Sequence, residues 1–157
     1  MIRIFLLKGF FLLLVSLTEL TKSFACTCIG KATIEQSYGS ADIVYSGKVI
    51  AVYIDEDSTS YRFRRVLHLV TTFVIDEIYK GENQKSDTIQ IITAYESASC
   101  GIHFEMGRSY IVYAKKNEFS SVKIEFPYLY STDKCTRTRS LDKNRKERRR
   151  LRRLSRK

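Results

Sequence analysis

Six residues near the start of the chain, Ser23-Phe24-Ala25-Cys26-Thr27-Cys28, combine a cleavage signal with two closely spaced cysteines. Ser23 and Ala25 are small residues at the spacing that signal peptidase favours. If the chain is cut after Ala25, Cys26 becomes the first residue and gains a free α-amine. That amine and the carbonyl of Cys26 are spaced to form a five-membered chelate with a metal ion. The sequence therefore predicts that processing creates a metal-binding N-terminus.

Residues 1–25 have the three parts of a secretory signal peptide. They contain basic residues near the start, an apolar run from Gly9 to Leu17 broken by Ser16, and a polar segment before the cleavage site. One alternative is a membrane anchor, but a bilayer span takes about 20 apolar residues. A second alternative is a lipoprotein signal, which would acylate Cys26. We expect cleavage without a remaining transmembrane segment, and a protein that is secreted and extracellular, or periplasmic in a bacterium.

The charge of the chain is concentrated at its C-terminal end. Residues 143–157 hold ten Lys or Arg and one Glu, whereas residues 26–142 hold fourteen Lys or Arg and fifteen Asp or Glu. The body is therefore close to neutral, which argues against a nucleic-acid partner. The basic tail, residues 141–157, has two readings. It is either a solvated, frayed helix or disordered segment, or a contact for an anionic surface such as lipid headgroups or acidic polysaccharide.

The four cysteines Cys26, Cys28, Cys100 and Cys135 all follow the predicted cleavage site. An even number of cysteines in an exported chain predicts two disulfides. A bond between Cys26 and Cys28 would close a very tight ring, so two long-range pairings remain open. In either of them the N-terminal segment is joined to distant parts of the chain.

Residues 26–140 are long enough for one domain with a core, and their hydrophobic pattern predicts a barrel. A short helix is expected over residues 33–41, and Gly47 indicates a bulge in the first strand. Apolar residues on both faces of long strands suit a small closed barrel, here an all-β, five-stranded OB-fold-type Greek-key barrel. Its strands are predicted at residues 42–54, 61–79, 87–93, 109–115 and 122–126.

Together, Cys26-Thr27-Cys28, the segment Phe73–Gly81, the loop Thr93–Gly101 and the strand Tyr110–Ala114 resemble the tissue inhibitors of metalloproteinases, within the netrin-like group. The resemblance covers roughly residues 26–140, and the Cys-x-Cys start joined to a Ser-x-x-Cys-Gly loop is its most specific part. The animal inhibitors carry six cysteines in this domain and usually a second domain. This chain, with four, looks like a shorter single-domain relative such as a bacterial one.

The resemblance implies a role for each residue of the N-terminal segment. Cys26 would chelate the catalytic zinc of a partner protease through its amine and carbonyl, and Thr27 would enter the S1′ pocket. It also implies the disulfides Cys26–Cys100 and Cys28–Cys135. The implied protease contacts are Thr27, Cys28, Ser97, Ala98, Ser99 and Cys100.

This interpretation requires no cofactor and no metal of the protein's own, because the zinc belongs to the partner. His68 and His103 have no cysteine or carboxylate at ligand spacing. No Ser/His/Asp or Cys/His arrangement can be argued from the sequence, because the cysteines are assigned to disulfides. We therefore expect an inhibitor rather than an enzyme. Asp76-Glu77 is expected to be a solvated strand end. The alternative function is a netrin-like binding module for envelope or matrix components without protease inhibition.

Overall fold

A computed structural model describes residues 26–28, 30, 32–55, 60–61, 64–65, 67–81, 86–117, 130–142 and 144–156. Within these residues the chain forms two α-helices, one 3₁₀ helix and eight strands. In chain order these are α1 (Ile34–Ser40), β1 (Ile43–Asp55), β2 (Ser60–Tyr61), β3 (Arg64–Arg65), β4 (His68–Lys80), β5 (Thr88–Ala94), the 3₁₀ helix (Ser97–Ser99), β6 (Ser109–Lys116), β7 (Tyr130–Ser131), β8 (Arg139–Ser140) and α2 (Arg145–Leu154).

Five strands close into a ring, which confirms the predicted OB-type barrel. Strand β1 pairs antiparallel with both β4 and β6. Strand β5 pairs antiparallel with β4 and parallel with β7, and β7 pairs antiparallel with β6. Strand β8 pairs antiparallel with β6 at Tyr110 and Ile111. The hydrogen-bonded ring therefore runs β1-β4-β5-β7-β6 and returns to β1.

The first strand bends at Gly47, as its sequence predicts. The pairing of β1 with β4 shifts register between Ser46 and Gly47. A Cβ atom on Gly47 would lie 2.6 Å from the carbonyl oxygen of Val74. Only glycine lets the two strands approach this closely, and the bulge lets β1 pair with two neighbouring strands of the ring, β4 and β6.

Most apolar residues on the two faces of the strands belong to two separate clusters, and Val70 and Ile92 form a third, smaller one. The barrel interior contains Ile43, Tyr45, Val49, Phe73, Ile89, Ile91, Phe104, Tyr110, Val112, Ala114 and Tyr130. The outer cluster contains Ala41, Val44, Tyr79, Ile111, Tyr113 and Leu151, with Ile34, Tyr38, Leu141 and Leu154 packed against it. Successive strand residues point to opposite faces. The outward apolar residues of β1 and β6 are therefore covered by the two helices.

Helix α1 lies within the range predicted for it and begins with a capping box. Thr33 is the N-cap, and its hydroxyl accepts a hydrogen bond from the amide of Gln36 at 3.2 Å. The Gln36 side chain accepts one in return from the amide of Thr33 at 2.9 Å, which completes a capping box. The helix ends at Ser40, one residue before the predicted boundary.

The basic C-terminal segment is helical and packs on the barrel, which corrects the expectation of a solvated tail. Leu151 is fully buried in the outer cluster, and Glu147 is also buried. Arg148 and Arg152 contact Glu77 of β4, so Glu77 is not a free strand end either. Both leucines of α2 face the barrel, since they lie three residues apart on one side of the helix. None of the helices that the structure describes is long and apolar enough to cross a membrane.

Two predicted strands differ from the observed ones. The strand predicted at residues 61–79 begins only at His68, because Ser60–Tyr61 pairs with Arg64–Arg65 in a separate two-stranded sheet. The strand predicted at residues 122–126 lies outside the described residues. The fifth member of the ring is the short strand β7, which starts at Tyr130.

Candidate functional site

Two disulfides hold the start of the N-terminal segment, defined as the described residues from Cys26 to Ala32, against the barrel. Cys26 is bonded to Cys100, with their Cα atoms 5.1 Å apart, and Cys28 is bonded to Cys135, with their Cα atoms 5.2 Å apart. The pairing implied by the family resemblance is therefore confirmed. The first bond joins residues that are 74 positions apart in the sequence, and the second joins residues that are 107 positions apart. Three consecutive residues of the chain are thus fixed at both ends.

The loop that carries Cys100 has a backbone that restricts residue choice. Cys100 follows the 3₁₀ helix and has a φ of 61°, in the left-handed region that non-glycine residues seldom adopt. A Cβ atom on the next residue, Gly101, would lie 1.8 Å from the carbonyl oxygen of Ala94. The Gly101 amide donates to the carbonyl oxygen of Glu96 at 3.3 Å. Gly101 therefore lets the loop fold back on β5 and hold Cys100 in place.

The disulfides bring the predicted contact residues into one ridge, defined here as Cys26–Cys28 with Ser97–Cys100. Thr27 is exposed, and so are the three residues of the 3₁₀ helix, Ser97–Ser99. Cys26, Cys28 and Cys100 are half-buried. The ridge thus presents small and hydroxylic side chains to solvent on a covalently fixed base. Their roles in protease contact stay predictions.

Sequence reasoning missed Lys134, which joins the two loops under the ridge. Its amide donates to the carbonyl oxygen of Cys100 at 2.8 Å. Its Nζ donates to the hydroxyl of Ser97 at 2.7 Å. Asp133 holds the same turn, because its Oδ1 accepts from the amides of Cys135 and Thr136, each at 2.8 Å. The one sequence signal for this link between the loops is the position of Lys134 next to Cys135. That signal can be used only when the disulfide pairing is known.

A second set of contacts ties the N-terminal segment to the C-terminal helix. Arg137 Nη1 donates to the carbonyl oxygen of Ala32 at 2.8 Å. Arg137 Nε donates to Glu147 Oε1, also at 2.8 Å. The hydroxyl of Tyr113 donates to the same Oε1 at 2.7 Å. Burial and the neighbouring Glu147 carboxylate raise the pKa of Tyr113 well above its ordinary value, so this phenol stays a donor.

The four cysteine sulfurs are the closest set of metal-ligand atoms that the described residues contain. They lie within 4.8 Å of one another. Each sulfur is bonded to another sulfur, so none is a thiolate that could ligate zinc. His103 lies near an aromatic side chain, with its ring 6.1 Å from that of Tyr95.

The fold and the ridge together define a small OB-type barrel that presents a disulfide-anchored N-terminal segment. The family model for the tissue inhibitor of metalloproteinase matches residues 24–144. The chain therefore belongs to this family. It is also similar to an NTR domain-containing protein of Margaritifera margaritifera, with 30% identity over 89 residues. That match covers 56% of each protein, so it spans just over half of the relative's length.

Proposed function

We propose that the mature protein inhibits zinc metalloendopeptidases by chelating the catalytic zinc through the α-amine and carbonyl of Cys26. The observation that carries this proposal is the double anchoring of Cys26–Cys28 beside the exposed Ser97–Ser99 in a member of an inhibitor family. A catalytic zinc keeps an open position that holds water. A fixed amine and carbonyl can displace that water. The protein itself needs neither a cofactor nor catalytic residues for this activity.

Pre-organisation is the physical reason for two disulfides at this end of the chain. A free N-terminus would lose conformational entropy when it enters an active site, and that cost would weaken binding. Here folding has already fixed the segment on both sides of Thr27. The exposed side chain of Thr27 is then available for the S1′ pocket, while Ser97, Ala98 and Ser99 would contact the protease surface beside it.

The disulfides and the family both favour an oxidising, extracellular location. Inhibition by chelation requires export and cleavage after Ala25, because only a free amine on Cys26 can chelate. An uncut chain would place an amide nitrogen there. Such a nitrogen has no lone pair available for zinc.

The test uses the processed protein and a variant with one additional alanine before Cys26. We expect the inhibition constant against zinc metalloendopeptidases to rise by at least about a hundredfold in the extended protein, since a lost metal chelate is equivalent to losing several kcal/mol. A variant with one alanine added after Lys157 is the matched control and should inhibit like the processed protein. Equal inhibition by all three proteins would refute the chelation mechanism.

We further propose that helix α2 gives the protein an anionic partner. Five basic side chains, Arg145, Lys146, Arg149, Arg153 and Arg156, are exposed and have no carboxylate within 4.0 Å among the residues that the structure describes. The spacing of the first four places them on one side of the helix, opposite the buried Leu151, and Arg156 follows the end of the helix. Because both leucines pack on the barrel, no apolar side chain of α2 is left for insertion into lipid. The favoured partner is therefore an acidic polysaccharide.

A matched pair of double variants tests this second activity. Arg149→Gln with Arg153→Gln removes two charges from the exposed side, whereas Arg150→Gln with Arg152→Gln removes two that contact Glu35 and Glu77. We expect only the first pair to lose most of the salt-sensitive binding to dextran sulfate. Equal loss in both pairs would indicate an effect of net charge alone. Preferential binding to phosphatidylserine vesicles would instead support a lipid surface.

A further inference from the structure

The buried carboxylate of Glu147 lies beyond the residues that match the family model, in a helix that follows the family's domain. Its side chain is 4% exposed. An ionised carboxylate at such a position is costly unless it is paired and hydrogen-bonded. Glu147 meets this requirement with Tyr113 and Arg137, and its Oε2 lies 3.8 Å from Arg139 Nε. A carboxylate on a solvated helix would not need these three partners.

Arg137 connects this carboxylate to the N-terminal segment. Its Nε donates to Glu147 and its Nη1 donates to the carbonyl oxygen of Ala32, both at 2.8 Å. Ala32 lies four residues after Cys28, and Arg137 lies two residues after Cys135, the disulfide partner of Cys28. One guanidinium therefore supplies a second link between the same two segments that the disulfide joins.

The loop between β7 and β8 is fastened to Tyr113 from the other side. The hydroxyls of Thr132 and Thr138 donate to the carbonyl oxygen of Tyr113 at 2.8 and 3.2 Å. The Tyr113 amide in turn donates to the Thr138 hydroxyl at 2.9 Å. Tyr113 thus holds the loop through its backbone and Glu147 through its phenol. The loop, the C-terminal helix and the N-terminal segment form one connected hydrogen-bond network.

We propose that Glu147 is a positioning residue for the N-terminal segment and acts through Arg137. The planar guanidinium reaches two acceptors at once, and the carboxylate fixes the orientation in which Nη1 points at Ala32. Without Glu147, the long side chain of Arg137 regains rotamer freedom and the Ala32 link weakens. The consequence for inhibition rests on the proposed function. The consequence for the order of the segment does not.

The experiment compares Glu147→Gln with the matched variant Glu77→Gln in the full processed chain. Both variants remove one carboxylate that holds α2, but Glu77 contacts Arg148 and Arg152 and has no link to Ala32. The first readout is amide hydrogen exchange of Cys28 and Thr33 in the free protein. We expect these amides to exchange about tenfold faster in Glu147→Gln and at the unchanged rate in Glu77→Gln, since only the first loses the Ala32 link.

The second readout is the inhibition constant. We expect it to rise about three- to tenfold in Glu147→Gln only, because the segment is then no longer pre-organised and must be ordered on binding. Arg137→Lys covers the case in which Glu147→Gln does not fold. It keeps a cation beside Glu147, but a single ammonium nitrogen does not span Glu147 and Ala32 as the two guanidinium nitrogens do, so Cys28 and Thr33 should again exchange faster.

The two proposals fail in distinguishable ways. Exchange rates that change equally in both carboxylate variants, in proportion to their lost stability, would overturn the positioning role. If the Cys28 and Thr33 amides exchange faster in Glu147→Gln only, but the parent protein shows no measurable inhibition, the positioning role is supported and the proposed function is refuted. If the Cys28 and Thr33 amides exchange as slowly in Glu147→Asp as in the parent protein, the result would support a charged, oriented contact rather than simple packing.

Discussion

The Sγ atoms of Cys100 and Cys135 lie 3.8 Å apart, although they belong to different disulfides. Cys100 is in the loop after β5, and Cys135 is in the loop between β7 and β8. The amide of Lys134 also donates to the carbonyl oxygen of Cys100. The two loops therefore form a single base, and Cys26 and Cys28 are attached to it side by side. Thr27 is exposed between two neighbouring covalent anchors.

The close packing of this base makes Gly101 sensitive to substitution. We expect Gly101→Ala to lower the free energy of unfolding by about 1–3 kcal/mol, because its Cβ would lie 1.8 Å from the carbonyl oxygen of Ala94 and the loop must shift. Inhibition should weaken as well, because the shifted loop carries Cys100, the disulfide partner of Cys26. Denaturant unfolding and the inhibition constant measure the two effects.

Gly39 provides the control for this glycine. It lies in α1, and a Cβ there would meet nothing within 4 Å. Gly39→Ala should therefore stabilise the protein by about 0.5–1 kcal/mol and leave inhibition unchanged. Full stability and inhibition in Gly101→Ala would contradict the tight approach of the loop to β5.

Thr27 should determine which proteases are inhibited without affecting stability. Its side chain is exposed, so Thr27→Arg should change the free energy of unfolding by no more than about 0.5 kcal/mol. A long cation in place of the small hydroxylic side chain that is proposed to enter the S1′ pocket should raise the inhibition constant by at least about tenfold. Inhibition assays on several metalloproteases, with intact mass to verify both disulfides, measure this. Unchanged constants across the set would exclude Thr27 from the contact.

Local patterns were sufficient to predict most of the barrel. The alternation of apolar residues identified β1, β5 and β6 within one or two residues of their observed limits, and the helical spacing of residues 33–41 placed α1 within one residue of its observed limits. Strand β7 could not be predicted in this way, since two paired residues give no periodicity. Its place in the ring depends on pairing with β5 and β6, which are distant in sequence.

The role of α2 was missed because its sequence is dominated by charge. A single Glu among ten basic residues indicates a solvated segment, yet Glu147 is buried by partners that lie in other elements. Leu151 and Leu154 gave only a weak apolar stripe. The disulfide pairing was available only through the family resemblance, because spacing alone left two alternatives open. Long-range partners, rather than local propensity, determine both features.

Acid should weaken inhibition, because the α-amine of Cys26 must be neutral to donate to zinc. A free α-amine titrates near about 7.7–8.0, so below that range each pH unit should raise the inhibition constant about tenfold. Measuring the constant between about pH 9 and pH 6 tests this. A small hydroxamate inhibitor measured alongside corrects for titration of the protease itself. A constant that does not change over this range would argue against an amine ligand.

Acid should also loosen the contact between α2 and β4. Hydrogen bonds from Arg152 and Arg148 hold the pKa of Glu77 below its usual value of 4.5. A carboxyl group with a lowered folded-state pKa contributes stability that is present above the unfolded-state pKa and is lost as pH falls through the folded-state pKa. The loss should therefore begin below about pH 4.5 and amount to about 1 kcal/mol, the scale of partly exposed ion pairs.

Glu77→Gln isolates this effect from the other carboxylates. At neutral pH the variant should unfold at a lower temperature than the parent protein, because it lacks the charge that Arg148 and Arg152 contact. As pH falls below about 4, protonation of Glu77 in the parent protein should bring the two unfolding temperatures together. Thermal unfolding followed by circular dichroism from neutral to acidic pH measures the difference. A gap that stays constant over this range would show that the Glu77 charge does not stabilise the docked helix.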